Sequence, residues 1–152
     1  MRFSAGALVA IVGLVSVFAS SGAADAQPAL EPGLWRISVT STTNGKPDPN
    51  QDSKECLGDE LKDLASYFAP ELEGAKATCK RTRQPAADRK TGYRMQCSGA
   101  GFTVDALTSV TIENSRHFTM SIRTDSRAPG ESAIVVVKGE GRRIGACEPA
   151  GK

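Results

Sequence analysis

Four cysteines, Cys56, Cys79, Cys97 and Cys147, constrain this chain more than any other feature, because the sequence ahead of them reads as an export signal. A basic start at Met1-Arg2 leads into an apolar stretch from Ala5 to Phe18, and the small residues Ala19-Ser20-Ser21-Gly22 follow. That order defines a secretory signal peptide. The stretch is shorter than the roughly 20 apolar residues of a spanning helix, and Ala24-Asp25-Ala26 puts small residues where signal peptidase reads them. Cleavage is expected after Ala26, so that residues 1–26 are the leader and residues 27–152 form one domain. No later segment is apolar enough to span a bilayer, and the mature chain is expected to be periplasmic with no transmembrane segment.

An even number of cysteines in an oxidising compartment reads as disulfides. Structural zinc sites bring ligands in close pairs such as Cys-x-x-Cys, whereas these cysteines are separated by 23, 18 and 50 positions. Four cysteines allow three pairings. Hairpin geometry favours one of them: Thr78 to Arg83 and Tyr93 to Ser98 flank a turn-rich middle, and folding that segment symmetrically sets Cys79 opposite Cys97. Cys56 then pairs with Cys147. In the chain-entropy picture the two loops contribute at most about 3 and about 4.6 kcal/mol, which together rival the net stability of a small domain.

The remaining chain reads as sheet. Trp35, Ile37 and Val39 alternate with Arg36, Ser38 and Thr40 after the Pro32-Gly33 turn, the period of a strand with one wet face. Asn44 to Ser53, with Gly45, Pro47 and Pro49, reads as a loop. Asp59 to Phe68 reads as the single helix, its stripe formed by Leu57, Leu61, Leu64 and Phe68 at spacings of three and four, with acids near its start. Three strands follow the cysteine hairpin: Phe102 to Ile112, Phe118 to Thr124 and Ser132 to Gly139. Ile134 to Val137 is apolar on both parities, which predicts a strand covered on both sides, with the helix as the cover. The expected fold is mainly β: a curved or partly closed antiparallel sheet of about six strands with one packed α-helix.

The net charge of +2 gives no reason to expect a dedicated nucleic-acid binder, and no nucleic-acid partner is expected. Aromatic residues make up only 5% of the chain, which limits any cavity to a modest size. His117, the single histidine, falls by parity on the polar side of its strand and reads first as a solvated surface residue. Ser115 and Asp105 are near it in sequence, yet no Gly-x-Ser-x-Gly elbow is present. Asp48, Asn50, Asp52 and Asp59 mimic a calcium loop, but Ser53 stands where glycine is required and the last ligand is the shorter Asp. Asp59 and Asp63 are one helical turn apart on a charged face, which does not place them across a cleft as glycoside chemistry needs. No cofactor or metal is indicated. Arg81, Arg83 and Arg94 in the hairpin and Arg142 and Arg143 near the C-terminus form a candidate anion-binding set, provided that the two patches adjoin. Exposed lysines and arginines also serve simply to discourage edge pairing.

Pro32-Gly33-Leu34-Trp35 at the first strand, Cys56-Leu57 before the helix, Cys97-Ser98-Gly99, and Gly139-Glu140-Gly141-Arg142-Arg143-Ile144-Gly145-Ala146-Cys147 line up in order. Together they resemble the exported bacterial family known as domain of unknown function 3617, over nearly the whole mature chain. The charged strand from Thr119 to Arg127 departs from the Met- and Gly-rich strands of that family. The resemblance implies a periplasmic location and transfers no catalytic residue. Three functions compete. The leading one is a non-enzymatic binding or interaction module for a small apolar or amphiphilic ligand or an envelope partner. The others are a small hydrolase using His117, and an envelope structural protein whose basic patches meet anionic lipid.

Overall fold

In the computed structural model the described residues are 28–70, 77–87, 89–99 and 101–148. The leader and the cleavage position after Ala26 lie outside them. Eight strands form one antiparallel sheet: β1 (Gly33–Thr43), β2 (Lys46–Pro47), β3 (Gln51–Leu57), β4 (Thr78–Ala87), β5 (Lys90–Gly99), β6 (Phe102–Asn114), β7 (His117–Ala128) and β8 (Glu131–Gly145). Their order is β2-β1-β8-β7-β6-β5-β4, with β3 also paired to β1, so the sheet is open and β4 is one of its edges. The meander from β4 to β8 comes from consecutive hairpins, and β1 returns to pair with β8.

Eight strands replace the expected six because the segment read as a loop contains β2 and the start of β3. Asn44 and Gly45 both adopt positive φ, at 51° and 78°, which is the backbone of a tight hairpin turn and returns the chain as β2. Beyond it Gln51–Leu57 pairs with the first half of β1, from Gly33↔Leu57 to Val39↔Gln51. β3 is mostly exposed and polar, so it shows no alternation to read.

The expected ten-residue helix is instead a 3-10 turn, η1 (Asp59–Asp63), followed by a single α-helical turn, α1 (Leu64–Tyr67). Asp63 is the reason for the break. Its backbone leaves the helical region, and its carboxylate accepts the Ser66 N–H as a cap for the second piece. Leu57, assigned by spacing to the helical stripe, is the last residue of β3. The helical turn contacts β5 and β6. It does not cover Ile134 to Val137, and Ile134 is 40% exposed, so the expectation of a strand buried on both sides is corrected.

Residues directly opposite across antiparallel strands share a face, which sorts the sheet into two. The inner face carries Trp35 and Ile37 of β1, Phe118 and Met120 of β7 and Val110 of β6, and these pack with Leu30, Leu57, Leu61, Leu64 and Ala65. The rings of Trp35 and Phe118 lie 5.3 Å apart between centroids, and Phe68 reaches Phe118 at 5.8 Å. Strand β8 makes room for them with glycine: Gly141 faces Phe118 and Gly139 faces Met120. A Cβ at Gly141 would fall on the Phe118 ring, and one at Gly139 would sit 2.6 Å from Met120 Cε. A second, smaller cluster of Met95, Cys97, Val104 and Ala106 lies on β5 and β6.

Candidate functional site

The cysteines end in two pairs at disulfide distance. Cys79 and Cys97 oppose each other in register, with Cα atoms 4.0 Å apart. Cys56 and Cys147 are 5.6 Å apart and join β3, at the residue opposite Leu34, to the segment that follows β8. Among the described residues no cysteine is free. Two such pairs fit a compartment more oxidising than the cytosol.

The residues singled out for catalysis do not assemble. His117 Nε2 lies 3.4 Å from Glu140 on the outer face. Ser115 Oγ donates to Glu31, 2.9 Å away, and helps to fasten the N-terminal lead to the sheet, where Arg116 also holds Glu31. Asp105 is nine positions along β6 from Asn114, the residue opposite His117, which is roughly 30 Å at strand rise. It receives a two-pronged contact from Arg94 instead, at 3.0 and 2.6 Å. That hydrogen bonding holds the Asp105 carboxyl below its usual range.

The oxygen ligands of the calcium-like stretch are also dispersed. Asp48 accepts from Ser41 and Thr43, Asp52 accepts from Ser38, and Asp59 pairs with Lys62. Among the described residues no cluster of three metal-ligating side chains occurs. Asp63 has a structural task that charge patterning did not reveal. Besides capping α1 it accepts the Tyr93 hydroxyl at 2.8 Å, and this bond pushes the tyrosine hydroxyl above its usual value.

Parity divides the five candidate anion-binding arginines. Arg81 and Arg83 oppose Met95 and Tyr93 and so lie on the inner side of edge strand β4, with guanidinium carbons 5.9 and 5.8 Å from the Tyr93 ring centroid. Arg81 also donates to Ser66 Oγ at 3.2 Å. Arg81 thereby ties the edge strand to the helical turn, while Arg83 lies against Tyr93. Arg143 opposes Trp35 on the inner face and donates to the Pro32 carbonyl at 2.9 Å. Arg94 and Arg142 are on the outer face, on β5 and β8, with β6 and β7 between them. The hairpin and C-terminal patches therefore do not adjoin.

What the sheet does bring together is apolar. Beyond the glycines, the inner face of β7 and β8 continues with Ile122 opposite Val137 and Thr124 opposite Val135. All four are half-buried, and neither core includes them. Thr43 opposes Val135 and Ser41 opposes Val137 on β1. The helical turn lies against β5 and β6, and neither core joins its residues to this strip. The sequence marks Ile134 to Val137 as apolar on both parities but assigns none of these positions a functional role. The signal was the change of β8 from glycine at 139 and 141 to valine at 135 and 137.

The molecule is thus an open antiparallel β-sheet domain, stapled at two places, with one end of its inner face roofed by a helical turn. Residues 30–147 match the family described as "Protein of unknown function (DUF3617)", and the chain belongs to that family. No curated protein and no solved structure matches it. Among the described residues no helix is long and apolar enough to cross a membrane.

Proposed function

We propose that this chain is a periplasmic, non-enzymatic interaction module, exported by the leader 1–26, that seats a small apolar or amphiphilic guest on the unroofed end of its inner face. One observation carries the reading: Ile122, Val135 and Val137 form a continuous aliphatic strip that joins neither core. Apolar surface left half in water gains free energy when a guest covers it, at about 25 cal/mol for each Å² removed from water. Thr124, beside it, supplies a hydroxyl that orients the polar part of an amphiphile, while Ser41 and Thr43 already donate theirs to Asp48. The separation of His117, Ser115 and Asp105 supplies no support for the hydrolase alternative.

Native mass spectrometry of the protein purified from its own envelope without detergent tests this. A retained small molecule that is absent from an Ile122→Glu/Val137→Glu variant of unchanged fold is the expected result. A retained species indifferent to those substitutions, or bare protein in every preparation, contradicts the reading.

A further inference from the structure

The outer face carries a row of three basic side chains, continued by a histidine, that the sequence order conceals. Lys54 of β3 opposes Arg36 of β1, Arg36 opposes Arg142 of β8, and Arg142 opposes His117 of β7. Lys54, Arg36 and Arg142 are exposed. At the usual strand spacing the four positions span roughly 14 Å.

Like charges directly opposite one another destabilise a sheet. Elsewhere the same face avoids this: Arg94 is matched to Asp105 at 2.6 Å and Arg123 to Asp125 at 2.9 Å. In the row only Arg142 and His117 have an acid, and they share one, Glu140, at 3.1 and 3.4 Å. Asp52, the acid two positions before Lys54, accepts from Ser38. Arg36 and Lys54 form no ion pair with a described residue. Protection of a sheet edge accounts for Lys54, because β3 is an edge strand. It does not account for Arg36, whose strand is flanked by β3 and β8.

We infer that the Lys54–Arg36–Arg142–His117 row is a docking surface for the phosphate-bearing headgroups of an anionic lipid membrane. Lys54, Arg36 and Arg142 are exposed and only His117 is half-buried, so the row lacks the walls that would desolvate and hold one small anion. Adjacent members stand closer together than the screening length of about 8 Å at physiological salt, and they act jointly on a surface that presents many phosphates. Each basic residue near such a surface strengthens binding about fivefold. This inference concerns the outer face and stands or falls separately from the inner-face guest.

Co-sedimentation of the mature chain with phosphatidylcholine vesicles, with and without phosphatidylglycerol, tests it. The expected result is salt-sensitive binding to the phosphatidylglycerol vesicles alone. Arg36→Gln/Lys54→Gln should weaken it about twenty- to thirtyfold, and Arg36→Gln alone about fivefold should the double variant fail to fold. Arg81→Gln/Arg83→Gln removes the same charge from the other face and should change binding less than about threefold. Relief of the opposed charges should also raise the melting temperature of Arg36→Gln by about 1–5 °C in lipid-free buffer. Equal losses in the two double variants would show attraction by net charge alone and overturn the inference. Absence of wild-type binding would also overturn it, as would displacement by inorganic phosphate at matched ionic strength, which marks a small-anion site.

Discussion

Strands β7 and β8 run the length of the sheet side by side, and their two ends are built on different rules. At one end β7 offers Phe118 and Met120, β8 offers Gly141 and Gly139, and the large side chains lie across the space the glycines leave. That end is roofed by Leu61, Leu64 and Ala65. At the other end Ile122 meets Val137 and Thr124 meets Val135, with no glycine to let a large residue lie flat and no core joining them to the helical turn. The contrast teaches that β8 glycines decide how far the main core extends. Where they stop, the sheet keeps an apolar surface without burying it.

Substitutions at the two ends should therefore differ in size. Phe118 is fully buried, and Phe118→Ala is expected to cost about 4 kcal/mol in a urea denaturation series. A loss near 1 kcal/mol would mean that the roofed end is no better packed than the open one. Gly141→Ala comes next, at about 2 kcal/mol, because its new methyl meets the Phe118 ring; a Gly141→Ala/Phe118→Leu double variant should recover part of that loss. At the open end Ile122→Ala should cost about 1 kcal/mol or less, since its side chain is already half in water. A cost equal to that of Phe118→Ala would erase the distinction.

The smallest effect is electrostatic and common to both ends. Hydrogen bonds hold Glu31 below its usual value of 4.5 through Ser115, Glu140 below 4.5 through Arg142, and Asp105 below 3.8 through Arg94. A carboxyl whose folded value is depressed contributes stability above its unfolded value and loses it as pH falls through the folded one. The urea midpoint should consequently be flat down to about pH 5 and then drop modestly, because these groups are largely in solvent. A midpoint that rises on acidification would contradict the assignment.

Much of this fold is legible in the amino-acid sequence. The alternation of Trp35, Ile37 and Val39 announced β1, and the symmetry of the segment between Thr78 and Ser98 gave the Cys79–Cys97 register. Strand β3 was not legible by alternation, because Gln51 to Lys54 are exposed on both parities, although Asn44-Gly45 was a hairpin signal in plain view. The leucine spacing over Leu57 to Phe68 suggested more helix than forms, since periodicity does not register Asp63 capping a second start. Charge counting grouped Arg142 with Arg143, whereas neighbours in a strand point to opposite faces. The Lys54–Arg36–Arg142 row depends on the register of strands far apart in sequence, which no local pattern encodes.

The most direct test of the open apolar face is a fluorescence titration of the folded mature protein with anilinonaphthalene sulfonate. Saturable binding to the native protein, weakened about tenfold by Ile122→Asp with the near-ultraviolet circular dichroism intact, is the expected result. Binding that ignores Ile122→Asp, or that appears only once the protein unfolds, would contradict it.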